Sequence, residues 1–268
     1  MRNSWPPFSE TEGKSLLQID RVSQRFAGLQ ALSDVSLSVR RGEIVGLIGP
    51  NGSGKTTLFN LITGVYPTMR GQILLEGRDL AGATRHEIAA AGIMRTFQNP
   101  RVFASLGLIE HAIIPEQVVS HPISFADFFR QIGTPWRAYS PAAESILREV
   151  ALGSTYGAPA GTLSYGRRRL LEIARSLAGS PRLLLLDEPT AGLNSDEVHQ
   201  VHGLLERLGG TRGLTMIIID HDTEFIERLC SRLVVLNNGR IIRDGLRDEV
   251  LRDPQVVAAY FGRVGPCS

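Results

Sequence analysis

Residues 43–64 read EIVGLIGPNGSGKTTLFNLITG: a continuous apolar strand, a glycine-rich turn and a helical stretch in immediate succession. That order restricts the fold more than any other feature. A buried strand feeding a helix through a tight turn belongs to a parallel sheet with crossover connections. The turn, Gly49 to Thr56, matches G-x-x-x-x-G-K-[ST], with the preceding strand and following helix that this motif requires. Across Gly49, Pro50, Asn51, Gly52, Ser53 and Gly54, the glycines let backbone N–H groups turn inward as a nest for phosphate oxygens, and the helix start adds its positive end. Lys55 reaches the terminal phosphates, and Thr56, followed by Thr57, offers a hydroxyl to Mg²⁺. The plainer alternative is a turn that only joins strand to helix. The lysine argues against it: Lys14 and Lys55 are the only lysines among 29 basic residues, and position 55 is where a compact point charge suits better than a planar fork.

Further buried strands are expected in GIMRTFQ (92–98), RLLLLDEP (182–189) and LTMIIIDHD (214–222), separated by helical stretches. Before the phosphate motif, SLLQIDRVSQRF and LSDVSLSVRRGE alternate in short runs, which predicts a small antiparallel sheet. Between Asn99 and Thr162 the strand signals cease, and Pro115, Pro122, Pro135, Pro141 and Pro159 interrupt the chain. This predicts an inserted helical subdomain, drawn at about 99–180. RLVVLNNGRIIRDG carries Asn-Gly between two apolar runs, a hairpin signal, and LRDEVLRDPQVVAAYFG reads as closing helices. The expected class is α/β: a P-loop NTPase core with a mostly parallel sheet, an N-terminal antiparallel β subdomain and an inserted helical subdomain.

At 268 residues and 43% apolar, the chain can build a full core. The expected domain spans 16–262, between a flexible leader at 1–15 and a tail at 263–268. Net charge is +2 and the basic residues are scattered, so no footprint for nucleic acid is present. Cys230 and Cys267 lack metal-ligand spacing and fit a reducing compartment. No apolar run approaches the roughly 18 residues of a membrane span, and the leader lacks the apolar core of a secretory signal, so a cytosolic chain is expected.

Asp187 and Glu188 end the strand in LLLLDEP. Alone, such a pair more often opens a loop. Beside a phosphate site, the aspartate belongs in the Mg²⁺ shell and the glutamate polarises an attacking water. His221 follows another core strand at the sheet edge where α/β proteins place ligands, which suggests contact with a γ-phosphate rather than a solvated or structural histidine. LSYGRRRLLEIARSL (163–177) reads as a helix with three arginines in its first turn, each costing about 0.3–1 kcal/mol at that positive end. Three explanations stand: Arg168 pairs with Glu172, the arginines are screened by water, or the helix start helps to hold an anion.

From about Leu16 to Gly262, the ordered motifs resemble the nucleotide-binding subunit of an ABC transporter. They are the loop at Gly49 to Thr57, Gln98 in RTFQ, a signature-like LSYGR (Leu163, Ser164, Tyr165, Gly166, Arg167), Asp187 with Glu188, a D-loop AGLN (Ala191, Gly192, Leu193, Asn194), and His221. The resemblance implies ATP and Mg²⁺ as ligands, with Glu188, His221 and Gln98 in catalytic roles and Thr56, Gln98 and Asp187 around the metal. It also implies that Phe26 stacks on adenine and that the signature acts on ATP held by a partner. The residues themselves leave two plainer readings open: Gln98 as a strand terminus and Phe26 as core. The sequence departs from the family at Tyr165, where glycine is usual, and at Arg167 and Arg168, where glutamine or an acid-glutamine pair is usual. The tyrosine is common in the subgroup below. The arginine run leaves the turnover of that half-site open.

Within that superfamily, RTFQNPRVF, LSYGRRRLLEIAR, DEPTAGLN and DPQVVAAYFG resemble the larger ATPase subunit of branched-chain amino acid importers, with relatives handling urea, amides or short peptides sharing much of the pattern. The partners so implied are a second ATPase subunit (a heterodimer, with a homodimer as the alternative), transmembrane permease subunits and, indirectly, a solute-binding protein. The implied place is peripheral, on the cytoplasmic face of the inner membrane. Two rival functions are a soluble ABC ATPase of translation or DNA repair and a P-loop kinase. The first usually carries two cassettes or a long coiled coil, and the second leaves LSYGR, AGLN and His221 unexplained.

Overall fold

Three runs with an apolar residue at almost every position become strands covered on both faces: β3 (Ile44–Ile48), β7 (Leu183–Asp187) and β8 (Thr215–Ile219). The computed structural model describes residues 15–97, 102–120 and 140–260. Gln98 and the leader at 1–14 lie outside the described residues. With β6 (Ile93–Arg95), β9 (Arg232–Asn237) and β10 (Arg240–Leu246), these strands form a sheet in the order β10-β9-β3-β8-β7-β6. All neighbours in it are parallel except β9 and β10.

Alternation along each strand sends side chains into two cores. Leu183, Leu185, Ile217, Ile219, Val45 and Leu47 face one, while Leu184, Leu186, Met216 and Ile218 face the other. The first core is closed by α1 (Lys55–Ile62), through Leu58, Phe59, Leu61 and Ile62, and by an antiparallel sheet of β1 (Ser15–Phe26), β2 (Leu29–Arg40), β4 (Arg70–Leu75) and β5 (Arg78–Asp79) in the order β2-β1-β4-β5. The second is closed by α3 (Leu108–Ser120), α4 (Pro141–Glu149), α5 (Tyr165–Ala178), α6 (Ser195–Arg212) and α7 (Thr223–Leu229), while α2 (Arg85–Ala90) lies between β5 and β6 in the chain. Each such leucine or isoleucine contributes about 1.5–3 kcal/mol on burial. The sheet therefore carries the stability and leaves the loops at its edge to the chemistry.

The antiparallel strands differ from the short runs expected. β1 (Ser15–Phe26) and β2 (Leu29–Arg40) each span 12 residues. Left-handed backbone at Arg21 and Asp34, with φ of 45° and 50°, and register shifts along the pair break the alternation without ending the strands. β4 (Arg70–Leu75) and β5 (Arg78–Asp79) complete that sheet. Pro115 lies within α3 and does not end it. The Asn-Gly hairpin forms as expected: Asn238 and Gly239 have φ of 47° and 73°, the double positive φ of a type I′ turn. The chain then runs into α8 (Arg247–Leu251) and α9 (Pro254–Tyr260). Among the described residues, no helix is long and apolar enough to cross a membrane.

Candidate active site

Because β3, β8 and β7 are adjacent and parallel, the loops leaving their carboxyl ends emerge along one edge. They carry Gly49 to Gly54, Asp220 with His221, and Asp187 with Glu188. The first loop is braced from outside. Gly239 of the hairpin donates its N–H to Ser53 O at 2.9 Å, and Ser33 N–H of β2 donates to Gly239 O at 2.8 Å. Gly49 has a φ of 150°, and a side chain there would collide with Leu236 O of β9. No side chain caps α1, whose N-cap is Gly54, and its first turn holds no acid. A helix opened in this way presents its first N–H groups to an anion. The Ser53 hydroxyl beside them is buried and has no hydrogen-bond partner among the described residues.

Lys55 is buried and folds back over the loop, donating from Nζ to Gly49 O at 2.6 Å and Pro50 O at 3.0 Å. Burial pushes its pKa down, and the carboxylates of Glu188 and Asp187 push it back up, so all three charged groups share one neighbourhood. Thr56 is exposed at the helix start, with Thr57 next to it. Asp187 accepts from Arg95 Nη2 at 2.7 Å, while Arg95 Nη1 donates to Asn60 of α1 at 2.6 Å. Glu188 sits in left-handed backbone with φ 49°, an uncommon state for a residue with a side chain and worth about 1–3 kcal/mol of strain. Its N–H donates to Ile219 O at 2.7 Å, and His221 Nε2 lies 3.1 Å from its Oε1. Buried Asp220 ties the two loops together by accepting from the Thr190 N–H at 3.0 Å and the Thr190 hydroxyl at 2.7 Å.

The signature segment opens α5. Ser164 Oγ accepts the Arg167 N–H at 3.3 Å as an N-cap. None of the three explanations for the arginines describes them all. Arg168 does not pair with Glu172; it donates to Leu163 O and Gly161 O, at 3.0 Å each. Arg169 points inward, is fully buried and takes Glu172 at 2.8 Å. An anion from this same chain already lies at the helix start, because the Glu197 carboxylate fills the space that a side chain on Gly166 would need. Glu197 belongs to a capping box with Asn194 at the start of α6, so the D-loop and the signature turn touch. Tyr165 adds to this contact with its ring over Gly192. Ala191 and Leu193 are half-buried in the same loop. Phe26 stands apart at the end of β1, partly exposed, its ring edge-on to Tyr66 with centroids 5.0 Å apart.

The family model described as "ABC transporter" matches residues 32–191, more than half of the chain. The chain belongs to the ABC transporter family. This ABC ATPase is 36% identical to the high-affinity branched-chain amino acid transport ATP-binding protein BraF of Pseudomonas aeruginosa, over 93% of the chain and 98% of the relative. It is also 36% identical to the corresponding protein LivG of Escherichia coli, over 92% and 98%. Among solved structures it resembles a nucleotide-free ATP-binding cassette from an ABC transporter (TM-score 0.80, 31% identity, 92% of this chain and 99% of that one). It is equally close to the ADP conformation of MJ1267, an ATP-binding cassette of an ABC transporter (TM-score 0.80, 32% identity, 93% and 99%). The expected fold class is borne out.

Sequence reasoning did not single out Arg95, Asn60, Glu197 or the Asp220–Thr190 link. Arg95 had left a signal: a cation inside an apolar strand needs an anion, and Asp187 ends the neighbouring strand just beyond Leu185, the register partner of Arg95.

Proposed function

We propose that this ABC ATPase binds ATP with Mg²⁺ on Gly49 to Thr57 and Asp187, hydrolyses it with Glu188 and His221, and drives import of branched-chain amino acids. It works as one of two ATPase subunits beneath a permease, on the cytoplasmic face of the inner membrane, with a solute-binding protein delivering the solute. In this reading residues 16–262 act as one ATPase domain with a helical subdomain at about 99–180, between a leader at 1–15 and a tail at 263–268. The observation that carries it is the meeting of Lys55, Asp187 and the Glu188–His221 pair along one sheet edge. Its solute follows the relatives BraF and LivG.

The loop's N–H groups and Lys55 hold the phosphates. Thr56 and Asp187 offer oxygen donors, the kind Mg²⁺ takes, in a set small enough to suit a cation that keeps waters and substrate oxygens. Mg²⁺ held there would neutralise negative charge on the phosphates. Glu188 accepts a hydrogen bond from the attacking water, and His221, whose Nε2 lies 3.1 Å from Glu188 Oε1 before nucleotide arrives, turns to the γ-phosphate. Gln98 links this water to the segment that meets the permease. Leu163 to Arg167 act on the partner's ATP, and the D-loop residues Ala191 to Asn194 pack beside that contact.

If Phe26 stacks on adenine, Phe26→Ala weakens ATP by about 1–3 kcal/mol, roughly 5- to 150-fold, and GTP by a similar factor, because stacking reads a π-face. Phe26 is 36% exposed and packs edge-on to Tyr66, so truncation should also lower the melting temperature, and affinity is read at a temperature where the variant is folded. Normal affinity in the folded variant would return the ring to a packing role.

The whole reading is tested by purifying the chain from its host membrane and measuring ATP hydrolysis in proteoliposomes. A polytopic membrane protein and a second ATPase should accompany it. Leucine, isoleucine or valine with the binding protein should raise turnover several-fold. Stimulation by urea, an amide or a short peptide alone would reassign the solute, and recovery without any membrane partner would refute the transport role.

A further inference from the structure

Two buried charges outside the proposed chemistry converge on the backbone of a single residue, Phe97. Arg169 is fully buried and Glu172 is 4% exposed, both on the inner face of the signature helix α5. They bind each other, and they also grip residue 97 from both sides. Arg169 Nη1 donates to Phe97 O at 2.6 Å, and Phe97 N–H donates to Glu172 Oε1 at 2.7 Å. Burial pushes the Glu172 carboxyl up, while the Phe97 N–H and Arg169 draw it back down. Desolvation of this kind offsets most of what an ion pair contributes, so the pair is a poor source of stability and a good means of fixing geometry.

What it fixes leads to the nucleotide site. The Phe97 ring lies 5.6 Å from the Arg95 guanidinium, and Phe59 of α1 flanks the same cation at 5.5 Å. Arg95 in turn holds Asp187 and Asn60. Contacts therefore run without a break from the helix that carries the signature to the carboxylate beside Lys55 and to the helix that Lys55 opens.

We infer that Arg169 and Glu172 are positioning residues that lock the signature helix to residue 97, so that ATP arriving at this subunit's own phosphate loop is reported, through Arg95 and Phe97, at the turn offered to the partner's ATP. The inference rests on the phosphate loop being the ATP site. Coupling of this kind is read from the response of one segment to the ligand of the other.

The test is amide hydrogen exchange of the full chain with and without Mg-ATP, in a Glu188→Gln background that keeps the nucleotide intact. In this parent, ATP should slow exchange at least threefold in peptides covering 183–191 and in peptides covering 165–177. Arg169→Met should keep the first response and ATP affinity within threefold, and lose the second. Arg169→Lys should restore it, because a single nitrogen makes both the Phe97 and Glu172 bonds and an ammonium has donors for both. Should Arg169→Met fail to fold, Glu172→Gln takes its place with the same expected loss, since it turns the oxygen facing Arg169 into a donor. An undiminished response at 165–177 in either variant, or none there in the parent, overturns the inference. No response at 183–191 in the parent would instead refute the ATP site on which it rests.

Discussion

Glu188→Gln will leave ATP binding within about threefold of the parent and lower turnover by about 10²- to 10⁴-fold, the range for losing a positioned general base. The amide keeps the shape of the side chain, and the strained backbone at 188 is held by bonds that the substitution does not touch: its N–H to Ile219 O, and its carbonyl to Ala191 N–H. What is lost is the carboxylate that polarises water and the charge facing His221. Steady-state hydrolysis by the reconstituted transporter, paired with an ATP titration of the isolated chain, separates the two effects. Turnover within a few fold of the parent would remove Glu188 from the chemistry.

Lys55→Ala acts earlier. The ammonium is held against the loop carbonyls of Gly49 and Pro50, and charge-assisted contacts to phosphate are roughly twice as strong as neutral ones. ATP affinity should fall by about 2–4 kcal/mol, roughly 30- to 1,000-fold. The fold should survive, because burial already disfavours the charged form at this position and the alanine removes that penalty. Lys55→Arg should fail to restore binding, since a planar fork cannot replace a point charge inside a closed loop. Unchanged affinity in the alanine variant, measured by calorimetric titration, would mean that the phosphates sit elsewhere.

The parts of this molecule that could be read from sequence are those fixed by near neighbours. The apolar run at 44–48, the glycines that must turn backward and Lys55 lie within a dozen residues, and the structure puts them where strand, turn and helix were expected. Asn238-Gly239 announced its turn for the same reason. The fate of the arginines was hidden, because their partners are distant in sequence. Arg169 looks like a surface residue until helical rotation places it on the buried face with Gly166, Leu170 and Ile173, and its carbonyl partner is 72 residues away. Arg95 interrupts an apolar strand for an aspartate 92 residues away. The bulges in β1 and β2 disguised two long strands as several short ones, because each register shift resets the alternation that marks a strand. Glu197 escaped notice since a carboxylate three residues into a helix explains itself as a cap, which it also is.

On the proposed reading, this chain holds one ATP on its phosphate loop and completes a second site with its signature. Ser164 is exposed at the start of α5, where its hydroxyl and the Gly166 N–H would meet the partner's γ-phosphate. An arginine there removes a cap worth about 1 kcal/mol and fills the approach, without touching Lys55 or Asp187. The decisive measurement is ATP-driven association of the Glu188→Gln chain with its partner ATPase, followed by light scattering, with and without Ser164→Arg. The parent should associate stably, and the double variant should not associate at all although it still binds ATP with parental affinity. Association of the double variant as tight as that of its parent would contradict the shared site.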